Sequence, residues 1–162
     1  MRQRPVKDRY REAPESAVIT MRASGELGAE SISCTVDTGR AMVQAGLHPA
    51  AVGGTGLACS GDMLLEALVA CAGVTLTAVA TALKFELRGG TISAEGDLDF
   101  RGTLGLAADA PVGFRDIRLS FDLDTDEPPE RIETLLKLTD RYCVVGRSRP
   151  VVYYGVTDLE DA

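Results

Sequence analysis

The chain has 162 residues, of which 45% are hydrophobic and 25% charged, which suits one domain with a sizeable core and is too apolar for a disordered segment. With 17 Lys and Arg against 24 Asp and Glu, the formal charge is −7, a sign that repels a phosphate backbone and argues against nucleic acid as a partner. One histidine and four cysteines, at positions 34, 59, 71 and 143 with no CxxC spacing, argue against a secreted disulfide framework and against a metal site.

Residues 1 to 16 are dense in charge and contain Pro5 and Pro14, and they read as a polar arm ahead of a single domain over 17–162. No apolar segment follows the early positive charge, so neither a secretory signal nor a membrane anchor is expected, and the cytoplasm is the expected compartment. Ile19 and Met21 alternate with Thr20 and Arg22, and Ile32, Cys34 and Val36 alternate with Ser31, Ser33 and Thr35. Both stretches predict half-buried strands. A turn at Asp37-Thr38-Gly39-Arg40 predicts a hairpin with Arg40 at its tip. The glycine-rich HPAAVGGTGLACS that follows reads as a loop, not as a phosphate-binding turn between strand and helix.

SGDMLLEALVACAGVTL opens a long helix, expected from Ser60 as cap to about Leu83, with Asp62 in a first turn that favours negative charge. The uncharged run from Ala67 to Leu83 falls just short of a membrane span and reads as a buried soluble helix. Apolar residues surround this helix from Ala67 onward, which predicts burial on all sides. So small a chain can hardly provide that cover alone, which motivates a homodimer. Downstream, Ile92 to Phe100 and Ile117 to Leu123 alternate with polar residues as strands. DEPPERIETLLKLTDRYC predicts a second helix with Ile132, Leu136, Thr139 and Cys143 facing inward, and Val151 to Val156 closes the chain as a strand. The order of elements predicts an α+β fold with antiparallel sheet.

Cys71 and Cys143 each lie on the apolar stripe of a predicted helix. Spacing alone leaves two readings open: core packing, since cysteine behaves as a small hydrophobe, or a redox pair, which needs Cα atoms within about 7 Å. Cys34 and Cys59 read as packing, although Cys59 precedes a helix start whose N–H groups can stabilise a thiolate. His48 reads as facing water.

SGDMLLEALVACAGVTL followed by LLKLTDRYCVVGRSRP resembles the OsmC/Ohr family of thiol peroxidases. The match to the first family motif runs through Asp62, Leu64, Leu65, Ala67 and Cys71, and that to the second through Tyr142, Cys143 and Val145. The resemblance covers roughly residues 30–157. It implies an OsmC-like fold, an intertwined homodimer with two central helices between antiparallel sheets, and reduction of organic hydroperoxides. Cys71 would then be the peroxidatic residue and Cys143 the resolving one. No bound cofactor is implied; a dithiol reductant protein of lipoyl type would restore the thiols.

A thiol buried mid-helix is hard to ionise, so the chemistry calls for a nearby cation. In relatives an arginine from the N-terminal strands supplies it, held by a carboxylate near the start of the first helix. Arg40 is the best match, with Arg22 second. The chain departs from the Ohr pattern at position 61, where a glutamate ten residues before the cysteine is replaced by glycine. Asp62 and Glu66 are the candidate substitutes, and Asp62 serves equally well as a helix-terminus charge. That departure leaves a second reading, an OsmC-fold protein that binds a small apolar ligand or electrophile without efficient peroxidase turnover.

Overall fold

The computed structural model describes residues 4–28, 34–36, 45–54, 57–148 and 152–153. In chain order these form helix α1 (Arg4–Glu12), strands β1 (Val18–Leu27), β2 (Cys34–Val36), β3 (Ala45–Gly46) and β4 (Ala58–Cys59), helix α2 (Ser60–Leu83), strand β5 (Gly89–Asp99), the short helix α3 (Phe100–Thr103), strand β6 (Phe114–Asp124), helices α4 (Pro129–Tyr142) and α5 (Val144–Arg147), and strand β7 (Val152–Tyr153). A five-stranded sheet has the order β2-β1-β5-β6-β7, and β3 and β4 form a separate pair. The expected α+β class and antiparallel character hold, with β1 antiparallel to β2. Two pairs depart from it, since β7 joins β6 in parallel and β3 lies parallel to β4. The hairpin tip expected at Arg40 lies outside the described residues.

The chain divides into two compact units. The first comprises Met1–Arg22, Gly39–Leu65 and Glu95–Ile117. Its core joins Tyr10, Ala17, Ala51 and Phe100, with Val6, Ile19 and Leu98 packed against them. The segment read as a polar arm therefore contains a helix, and among its described residues the one fully buried side chain, Tyr10, donates from Oη to the Ala50 carbonyl at 2.8 Å. Such a charged sequence folds as a helix here because a single aromatic anchor buries a large area. Asp99 ends β5 and caps α3, accepting from the Arg101 N–H at 3.0 Å. Gly96 is required where it is, since the Phe114 ring lies 2.6 Å from where a Cβ would stand.

The second unit comprises Ala23–Thr38, Glu66–Ala94 and Arg118–Ala162. Ile92 and Ala94 of β5 and Leu119 and Phe121 of β6 are buried, following the expected alternation, and on α4 the inward stripe is Ile132, Leu135 and Thr139. Leu135 is fully buried and the expected Leu136 only half-buried, the two flanking the line through Ile132 and Thr139, one on each side. The long helix α2 stops at Lys84, which takes a left-handed conformation (φ 50°). The Phe85 N–H returns to the Ala80 carbonyl at 2.9 Å, closing the C-terminal turn in a Schellman arrangement.

Candidate active site

From Glu66 onward, α2 presents two unlike faces. Leu68, Val69, Ala72, Leu76 and Ala80 are buried, a spacing of i, i+1, i+4, i+8 and i+12 that marks one side of the helix. Each buried Leu or Val there contributes on the order of 2 kcal/mol. Ala67, Val74 and Ala78 are exposed instead, with Val74 at 43%. The expected burial on all sides is therefore not met within one chain: only 39% of the most apolar stretch of α2 is buried. The reason is geometric, since the elements of one chain cover one face and leave the other open. Cys71 is half-buried and belongs to the open stripe, about one turn after Ala67, one turn before Val74 and two turns before Ala78. By length and composition α2 could cross a membrane.

Cys143 stands at the junction of α4 and α5 and is 0% exposed. Its N–H donates to the Thr139 carbonyl at 2.9 Å, and its Sγ accepts from the Gly146 N–H at 3.4 Å. The thiol is thus the side-chain cap of α5. Thr139, also buried, satisfies its own hydroxyl on the Leu135 carbonyl at 2.8 Å. Cys71 and Cys143 fall in the same compact unit, and neither is in a disulfide.

The candidate carboxylates sit on α2. Asp62 is half-buried in the first turn. Nine residues along an α-helix amount to about two and a half turns, so Asp62 and Cys71 leave α2 in opposite directions. Glu66, half-buried and five residues before Cys71, is about 140° away around the axis. Arg22, the second candidate for the cation, extends from β1 into an ion pair with Glu95 at 2.6 Å on an exposed surface. Arg40, the first candidate, is outside the described residues.

Two residues differ from their sequence reading. His48 does not simply face water: its ring stacks on Phe100 at 5.1 Å between centroids, and its Nδ1 accepts from the Ala50 N–H at 3.1 Å. No periodicity links His48 to Phe100, so nothing in the sequence signals the pairing. Cys59 does reach the start of α2, where its Sγ accepts from the Gly61 N–H at 3.4 Å, while Ser60, the expected cap, is the first helical residue.

The sequence matches the OsmC-like protein family over residues 53–149. No curated protein matches. Among solved structures, one from Legionella pneumophila, described as an organic hydroperoxide resistance protein OsmC and predicted redox protein, is 15% identical with a TM-score of 0.55, covering 85% of this chain and 92% of its own. A second, from Psychrobacter arcticus and described in terms of osmotic stress induction and detoxification response, is 13% identical with a TM-score of 0.55, covering 82% of this chain and 93% of its own. At such identities these likenesses carry the fold. The family match spans more than half of the chain and includes both Cys71 and Cys143, so this chain belongs to the OsmC-like proteins.

Proposed function

We propose that the protein is a cytoplasmic, homodimeric thiol peroxidase for organic hydroperoxides. The observation that carries this reading is the placement of the two motif cysteines: Cys71 on the open apolar stripe of α2, and Cys143 at the end of α4 within the same compact unit. The Cys71 thiolate attacks the distal oxygen of ROOH; the RO⁻ leaving group takes a proton to become ROH, and Cys71 becomes a sulfenic acid. The Cys143 thiol then attacks the sulfenic sulfur, water leaves, and a Cys71–Cys143 disulfide forms. An external dithiol of lipoyl type reduces it. Arg40 supplies the cation that favours the Cys71 thiolate, and Asp62 orients that arginine. A second subunit covers Ala67, Val74 and Ala78 and so builds an apolar surround for Cys71, which suits an organic peroxide tail better than hydrogen peroxide.

The test is intact-mass measurement and peptide mapping of the reduced protein after one equivalent of cumene hydroperoxide, and separately of hydrogen peroxide. A rapid disulfide between residues 71 and 143, formed faster with the organic peroxide and absent in Cys71→Ser, is expected. Thiols inert to both oxidants would overturn the peroxidase. One observation favours a second reading: with Gly61 at the family's glutamate position, the nearest acid, Asp62, leaves α2 on the side opposite Cys71. In that case the fold binds a small apolar ligand or electrophile without peroxide turnover, and the same inert thiols are the result it requires.

A further inference from the structure

We propose that α5 is a redox-gated lid: oxidation of Cys143 removes the cap that holds α5, the turn opens, and the Cys143 sulfur becomes the one that the reductant attacks. The inference rests on the peroxidase reading above and adds to it which sulfur is attacked and what exposes it.

The reduced protein poses an access problem. Cys143 is 0% exposed, whereas thiol–disulfide exchange needs an external thiolate to approach a disulfide sulfur directly. The chain that folds back onto the sulfur is residues 144–147, a single helical turn. A turn of this length does not sustain itself, because nucleating a helix costs more than its first bonds return. Gly146, a poor helix former, lies in its middle. Val144 is 72% exposed and Arg147 is exposed, so of its side chains only half-buried Val145 gives an apolar hold. The Arg147–Asp140 ion pair is 3.7 Å long on an exposed surface and adds little.

What remains is the bonding at the junction. The Gly146 N–H donates to Cys143 Sγ at 3.4 Å, the Arg147 N–H to the Cys143 carbonyl at 2.9 Å, and Ser148 gives both its N–H, at 3.0 Å, and its hydroxyl, at 2.8 Å, to the Val144 carbonyl. A thiol or thiolate serves as the cap acceptor. In a disulfide the same sulfur is a weaker acceptor, and its direction is fixed by the S–S bond, whose dihedral lies near 90°. Forming the Cys71–Cys143 bond therefore withdraws the acceptor from Gly146, the bond that ties the turn to the sulfur.

With α5 open, one thiolate of a dithiol reductant attacks Cys143 Sγ. The Cys71 thiolate leaves, and a mixed disulfide forms between Cys143 and the reductant. The reductant's second thiol, deprotonated, then displaces Cys143 as a thiolate, which takes up a proton; the reductant leaves as its cyclic disulfide, and two electrons have passed to the protein. Recapping by the restored Cys143 thiol closes the lid.

The experiment is amide hydrogen exchange on the peptide covering residues 141–148, in reduced protein and in protein oxidised by one equivalent of cumene hydroperoxide, with intact mass read in parallel. Exchange at Gly146, Arg147 and Ser148 is expected to be roughly tenfold faster once the disulfide is present, the scale of a lost helix cap. Cys143→Ala, which has no cap acceptor, is expected to show the fast exchange already when reduced. Cys143→Ser, whose hydroxyl keeps an acceptor, is expected to stay protected before and after peroxide. A disulfide seen by mass with unchanged exchange overturns the lid, as does a Cys143→Ala variant as protected as the parent. If that variant fails to fold, the comparison of oxidised with reduced parent decides alone. Absence of any disulfide by mass overturns the peroxidase reading itself, and the trigger for the lid with it.

Discussion

The Arg131 guanidinium donates to the Leu83 carbonyl at 3.0 Å, so a side chain from the first turn of α4 satisfies one of the last carbonyls of α2. The same group lies 5.6 Å over the Phe85 ring and is paired with Glu127 at 2.7 Å. It stabilises a helix end that needs it, because Lys84 holds a left-handed conformation that suits glycine. Lys84→Gly is expected to raise stability by about 0.5–1 kcal/mol and Arg131→Ala to lower it by about 1–2 kcal/mol. Urea unfolding midpoints of the two variants, at unchanged slope, are the check.

Asp99 is 1% exposed and is clamped by Arg101, whose Nη2 donates at 2.6 Å and whose backbone N–H donates at 3.0 Å. The hydrogen bond from the Arg101 side chain, ahead of that from its backbone, holds the Asp99 carboxyl below its ordinary value. In the unfolded chain the same carboxyl therefore binds its proton at higher pH. Its contribution is accordingly complete above about pH 4, the ordinary aspartate range, and is lost as the pH falls through the depressed folded value. Asp99→Asn is expected to cost roughly 2 kcal/mol at neutral pH, by weakening a buried charge-assisted bond. The gap between parent and variant in unfolding free energy should stay constant from pH 5 to 8 and shrink below pH 4.

The parts of this fold that repeat at a fixed period could be read in advance. Ile92, Ala94, Leu119 and Phe121 follow the two-residue period of a strand with one wet face, and α2 ends at Leu83 as its apolar length indicated, although Ser60 is its first residue and not its cap. Cys143 was legible as inward-facing because it continues the stripe of α4. What stayed hidden depends on single long-range contacts or on cover that a sequence cannot assign. An all-apolar α2 does not say which face its own chain buries. Tyr10 and the ring pair of His48 and Phe100 have no periodicity to reveal them, and the backbone of Gly146 gives no sign in the sequence that its N–H will meet a sulfur.

Tyr10 tests whether α1 is integral to its unit. Truncation to alanine empties a fully buried aromatic site and is expected to cost about 3–5 kcal/mol. Tyr10→Phe keeps the ring but leaves the Ala50 carbonyl without its donor, at an expected cost of about 1 kcal/mol. Thermal melts separate the two: a small fall for the phenylalanine variant, and a much larger one for alanine. A Tyr10→Ala variant as stable as the parent would mean that α1 is held by nothing of consequence.

Val74 gives the most direct reading of the open face of α2. It is 43% exposed and stands on the stripe with Ala67, Cys71 and Ala78, where the proposed homodimer brings a second subunit into contact. An arginine placed there stays solvated in a monomer but is desolvated without a partner in the dimer, a penalty of about 3–5 kcal/mol. Val74→Arg is therefore expected to weaken self-association by at least a hundredfold and to shift the protein to monomer size in sedimentation velocity at micromolar concentration. Thr134→Arg, on the exposed side of α4, adds the same charge away from the stripe and should leave the size unchanged. If Val74→Arg keeps the size of the parent, the stripe is open to water in solution. Cys71 then meets its oxidant without the apolar surround on which the preference for organic hydroperoxides depends.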